Sequence, residues 1–147
     1  MTVLVRRSGR PIGRLPAALV KRWSTCFLDA LGLDAELSVL LTDDATIHAL
    51  NREHRGKDAP TDVLAFSLLE GEAPPSGEGA HPLGDVVLSL DTAARQARRR
   101  RRTLEAECMM LLAHGLLHLV GYDHETDEEE RAMKRETARL LRLARNI

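Results

Sequence analysis

Apolar residues change their period several times along the chain, and each change marks an element. Thr2 to Val5 reads as a short strand, and the amphipathic pattern from Leu15 to Leu31 predicts a helix with Pro16 in its first turn and Gly32 closing it. Alternation over Glu36 to Leu41 predicts a second strand. Thr42 is placed to N-cap the helix that follows, with Asp43 and Asp44 in its first turn, running toward His54. The segment Arg55-Gly56-Lys57-Asp58-Ala59-Pro60 breaks that helix and forms a loop. Val63 to Leu68 predicts a buried strand, and the Gly/Pro/Glu-rich stretch from Glu70 to Gly84 a mobile inter-strand loop. Asp85 to Leu90 follows as a fourth strand, and Asp91 is placed to cap a helix that enters the run Arg98 to Arg102.

Thr103, with Glu105 in the first turn behind it, starts a helix through CMMLLAHGLLHLV that is apolar nearly all round and must therefore be central. The carboxylates of DHETDEEE suit the N-terminus of a last helix reaching about Arg145, with Asp127 to Arg131 and Glu130 to Lys134 spaced i,i+4. Four strands and about five helices in this order predict an α+β layer, a small sheet covered mainly by helices with the apolar helix against it.

Composition narrows the function classes. At 147 residues a single domain over 1–147 is expected, and 44% hydrophobic with 29% charged residues excludes disorder and collagen-like repeats. A net charge of -1 gives no global positive field, so any nucleic-acid contact must come from a local patch, and no DNA partner is expected. Trp23, Phe27, Phe66 and Tyr122 are the only aromatic residues, too few for a base-stacking platform. Cys26 and Cys108 suit neither a disulfide framework nor a paired metal site. No apolar run approaches the roughly 20 residues that span a bilayer, and the start lacks a signal h-region, so a cytoplasmic protein without membrane contact is expected.

His114, His118 and His124 lie within eleven residues of one another. Residues four apart on a helix share a face, with Cβ atoms about 5–6 Å apart, so both imidazoles can reach one ion. Gly121 can take the positive φ that ends the helix, letting His124 swing back toward the first two. Three neutral imidazoles with an open fourth position are the donor set of a catalytic zinc, one per chain. Asp123 and Glu125 flank His124 either as carboxylates orienting a ligand or as ordinary surface residues. The spacing is that of the metzincin pattern H-E-x-x-H-x-x-G-x-x-H, but Gly115 stands where that protease carries its general base. Peptide hydrolysis is therefore demoted, and the metal site is retained.

The segment HGLLHLVGYDH resembles the signature H-G-x-L-H-L-x-G-Y-D-H of the YbeY family, bacterial endoribonucleases implicated in ribosomal RNA maturation. RGKDAPTDVLAFSL is similar to that family's R-G-K-D-x-P-T-D-V-L-S-F-P, and GDVVLS to its G-D-I-V-I-S. Ala65 and Ser67 depart from the usual Ser and Pro, and Met110 stands where many members have a further His. The resemblance implies a mixed sheet with helices around it, zinc on His114, His118 and His124, a catalytic arginine at Arg55, and metal-dependent cleavage of single-stranded RNA in ribosomal RNA maturation and ribosome quality control. A guanidinium suits that role, because a phosphodiester transition state gathers negative charge on oxygens that it can engage in pairs. Asp62 and Asp85 also fall in the matched blocks.

Two alternatives stand beside this reading: a zinc hydrolase of peptide or amide bonds drawing its base from Asp62 or Glu125, and a non-catalytic ribosome-assembly factor whose metal ties the last two helices together. Arg99, Arg100 and Arg101 form either a solvated helix end or an RNA-phosphate patch. Five consecutive helical residues advance about 400°, so the run from Arg98 to Arg102 cannot share one face, and a helix end or junction is expected there.

Overall fold

The computed structural model describes residues 1–68 and 81–145. Its elements run β1 (Thr2–Arg7), α1 (Ala17–Ala30), β2 (Ala35–Thr42), α2 (Asp44–Arg55), β3 (Val63–Ser67), β4 (His81–Ser89), α3 (Leu90–Arg100), α4 (Leu104–Leu119) and α5 (Asp127–Ala144). The strands form one mixed sheet in the order β1-β2-β4-β3, with β1, β2 and β4 parallel and β3 antiparallel along the edge of β4. The expected α+β layer of four strands and five helices is thus observed.

Period-two alternation decides what lies on each face. Leu37, Val39 and Leu41 of β2 and Val86 and Leu88 of β4 point into the main core with residues of α1, α4 and α5. On the opposite face Val87 and Leu64 meet Ile47 of α2 in a smaller cluster. The central helix α4 starts where expected: Thr103 accepts a hydrogen bond from the Ala106 backbone at 3.1 Å. It ends in a Schellman arrangement, with Gly121 N–H donating to the His118 carbonyl and Tyr122 N–H to that of Leu117. Gly121 sits at φ 102, the positive region the sequence assigned it.

Several boundaries differ from expectation. Thr42 is the buried end of β2, and Asp43 caps α2 by accepting from Thr46 N–H at 2.9 Å. Ser89, not Asp91, caps α3, while the Asp91 carboxylate takes the backbone N–H groups of Ile12 and Asp44 and so pins the start of the chain to two helix starts. Arg55 is the last residue of α2, ahead of a left-handed Gly56, and does not belong to the loop. Strand β4 begins at His81, inside the stretch expected to be a loop; residues 69–80 of that stretch lie outside the described residues. Pro82 is tolerated because the register pairs it with Glu36 of β2 alone, the pairing with β3 beginning at Gly84. No described helix is long and apolar enough to cross a membrane.

Candidate active site

His114 and His118 are half-buried side chains on the otherwise buried C-terminal half of α4, and His124 follows from the turn after Gly121. The ring centres of His114 and His118 are 5.8 Å apart and those of His118 and His124 5.4 Å. A tetrahedral zinc, about 2 Å from each nitrogen and about 1.2 Å more from each ring centre, would separate ring centres by about 5 Å. Burial first, and then the charges of the neighbouring histidines, hold His114 and His118 below the usual imidazole range. Both are therefore neutral at pH 7, the form that donates a lone pair to a metal. Donor type, charge state and pair spacing all fit a zinc ion. Among the described residues no three His, Cys, Asp or Glu side chains stand in an arrangement that would hold a metal ion. His124 is exposed and lies on the turn after α4 rather than on the helix.

The three histidines line a cavity of about 440 Å³ with Asp62, Met110 and Arg100. Gly115 also lines it, and the helix packs so closely to the sheet that any side chain there would force its neighbours to shift: a Cβ on Gly115 would lie 2.9 Å from Val86 Cγ1 and 3.1 Å from Val63 Cγ2. A protease-like glutamate at this position has no room. Asp62 Oδ1 accepts from Val63 N–H at 2.8 Å and Oδ2 from Gln96 Nε2 at 3.1 Å, so both oxygens are engaged, and the carboxylate faces His114 closely enough to favour its protonated form slightly. Asp62, which falls in a matched sequence block, lies in the cavity wall.

Arg55 lines a different cavity. About 800 Å³ in volume, it lies on the α2 face of the sheet, walled by Arg6, His54, Arg55, Phe66, Ser67 and Asp85 among others. Arg55 Nη2 donates to the Ala65 carbonyl at 2.6 Å, and its guanidinium lies 4.8 Å from the centre of the Phe66 ring, which in turn packs T-shaped with the His54 ring at 5.2 Å between centres. Ala65 lines both cavities, so the edge strand β3 forms part of the wall between them.

The arginine run divides as a junction should. Helix α3 ends at Arg100, Arg101 is left-handed at φ 56, and Arg100 and Arg102 pair with Glu107 at 3.0 and 3.7 Å. Arg100 lines the histidine cavity; Arg99 and Arg101 line neither cavity.

A family model described as Endoribonuclease YbeY matches residues 15–145. A protein named Endoribonuclease YbeY from an Anaeromyxobacter species is 54% identical over 136 residues, covering 92% of this chain and 68% of its own. One of the same name from Pelotomaculum thermopropionicum is 49% identical, with 77% and 74% covered. A solution structure of a Thermotoga maritima protein superposes with a TM-score of 0.66 at 27% identity, over 97% of this chain and 89% of that one.

Proposed function

Because the chain belongs to the YbeY endoribonuclease family, we propose that it cleaves single-stranded RNA in ribosomal RNA maturation, with zinc held by His114, His118 and His124 and with Arg55 acting on the scissile phosphate. The observation that carries this reading is the spacing of three imidazoles, two of them held neutral, around the wall of one cavity. Bound there, zinc would polarise a phosphoryl oxygen or lower the pKa of its water toward about 7.

The remaining work falls to this chain's own side chains. Helix α4, buried on nearly all sides, keeps His114 and His118 in fixed relation, so these two rings need little reorganisation on binding. Arg55 already donates to a backbone carbonyl on the edge strand, and an RNA strand crossing that edge would bring a phosphate within reach of its remaining N–H groups. As charge builds on the phosphoryl oxygens, a guanidinium held by Ala65 and Phe66 stabilises it without moving.

Peptide hydrolysis is less well served here: close packing at position 115 leaves no room for the protease's glutamate, each Asp62 oxygen already accepts a hydrogen bond, and Glu125 does not line the cavity. The test is to incubate the zinc-loaded protein with labelled single-stranded RNA, the same RNA as a duplex, the matching DNA and a peptide library. Cleavage confined to single-stranded RNA is expected. Cleavage of peptides, or of no substrate at all, would overturn the proposal.

A further inference from the structure

Glu107 is fully buried, one turn into α4, and the reading above gives it no task. A carboxylate withdrawn from water weakens a fold unless charges and hydrogen bonds compensate it. Here Arg100 Nη1 donates to Oε2 at 3.0 Å, and Arg102 Nη1 stands 3.7 Å from Oε1, which receives no hydrogen bond among the described residues. The left-handed Arg101 between them is the one non-glycine residue at positive φ among those described, and it lets residues two apart meet the same carboxylate. Two guanidiniums on one carboxylate leave a net charge of about +1 at the α3–α4 junction.

That charge is directed. Arg100 lines the histidine cavity, with its side chain about half exposed (48%), and Met110, which lines the same cavity, touches Arg100 Nη1 through its sulfur at 3.9 Å. Neither Nη2 nor Nε of Arg100 has a hydrogen bond or ion pair among the described residues. A half-exposed guanidinium in the cavity wall, fixed at one corner and with its other N–H groups unpaired among the described residues, is suited to grip an anion with two acceptor oxygens.

We propose that Arg100, positioned by Glu107, binds a backbone phosphate of the RNA strand beside the scissile one, as the strand enters the histidine cavity. The proposal rests on the RNA-cleaving reading of that cavity, and it reduces the arginine run to one working member. Fixing the guanidinium before the strand arrives lowers the ordering cost of binding. Because this phosphate takes no part in bond breaking, the contact is the same in the ground and transition states, and its loss acts on KM.

Steady-state cleavage of single-stranded RNA by zinc-loaded protein at several salt concentrations tests this. Arg100→Gln should raise KM about tenfold, leave kcat within about threefold, and flatten the dependence of log KM on log salt by about 0.7, one phosphate's share for a single strand. Arg100→Lys should restore the salt slope and only part of the affinity, since it returns the charge without the fork. Glu107→Gln, with folding checked by circular dichroism, should raise KM less than Arg100→Gln does. The exposed Arg22→Gln on α1 serves as the control for lost surface charge and should change neither KM nor the slope. If wild type cleaves RNA while Arg100→Gln keeps its KM and salt slope, this proposal alone is overturned. If wild type cleaves no RNA, the underlying reading falls and takes the proposal with it.

Discussion

On one face of the sheet the histidine cavity is walled by α4, a helix buried nearly all round, capped by a hydroxyl at one end and a Schellman turn at the other. On the other face the Arg55 cavity is walled by α2, which buries only Ile47 and Asn51 and holds its place through polar anchors. Asn51 donates to the Ala59 carbonyl, and Asp44 accepts from Ser89 and Thr92 and pairs with Arg95. The difference suits the roles proposed for the two sets of side chains. As proposed metal ligands, His114 and His118 gain fixed positions from close packing, while His124 lies on the exposed turn after α4. An arginine acting on charge over a longer reach needs only a hydrogen-bonded tether, and the β3 edge supplies one.

Substitutions on the two faces should therefore separate metal binding from charge stabilisation. The largest effect is expected from His118→Ala: loss of zinc and of RNA cleavage, with the circular dichroism spectrum largely retained. Full zinc occupancy in a variant lacking both His114 and His118 would remove the histidine cavity from the account. Arg55→Ala should keep its zinc and bind RNA nearly as well, yet lose roughly two to three orders of magnitude in kcat, as for loss of one oxyanion-type donor. Arg55→Lys should recover part of that rate. An unchanged kcat in Arg55→Ala would leave the α2 face without a catalytic part.

Gly115→Glu probes the close packing alone. A carboxylate forced between α4 and the valines of β3 and β4 should lower unfolding stability by about 3 kcal/mol or more in urea titration, and it should confer no peptidase activity. Wild-type stability in that variant would mean that the helix can lift from the sheet. The smallest effect concerns the polar anchors of α2. Burial pushes the Asp44 carboxyl up, but hydrogen bonds from Thr92, Ser89 and Arg95 outweigh it and hold the group below its ordinary value. Its contribution is present above the unfolded value of about 3.9 and is lost as pH falls through the lower folded value. The thermal midpoint should accordingly fall less steeply between about pH 5 and pH 2 in Asp44→Asn than in wild type, and equal slopes would remove Asp44 as an anchor.

These expectations draw unequally on sequence. The apolar run of α4, its Thr103 cap and the Gly121 stop were legible because propensity and tertiary packing agree there. The start of β4 was not, since His81-Pro82 within a Gly/Pro-rich stretch reads as loop, and only the parallel partner β2 makes it a strand. Histidine spacing showed which rings share a face, but not that His124 stands 5.4 Å from His118 without closing a cage. That Arg55 and the histidines lie on opposite faces of one edge strand is a property of the sheet order, which local pattern does not encode. The pairing of Glu107 with Arg100 likewise depends on a left-handed Arg101, and no sequence rule asks for that conformation at an arginine.

The central claim is that RNA cleavage depends on one zinc in the histidine cavity. It is tested most directly by stripping the protein with a chelator and measuring single-turnover cleavage of single-stranded RNA as zinc is returned in steps. Activity should be absent without metal, rise in proportion to added zinc, and level off at about one equivalent per chain, the stoichiometry of a single site with one open position. Full cleavage by the stripped protein, with metal analysis showing none bound, would contradict the account.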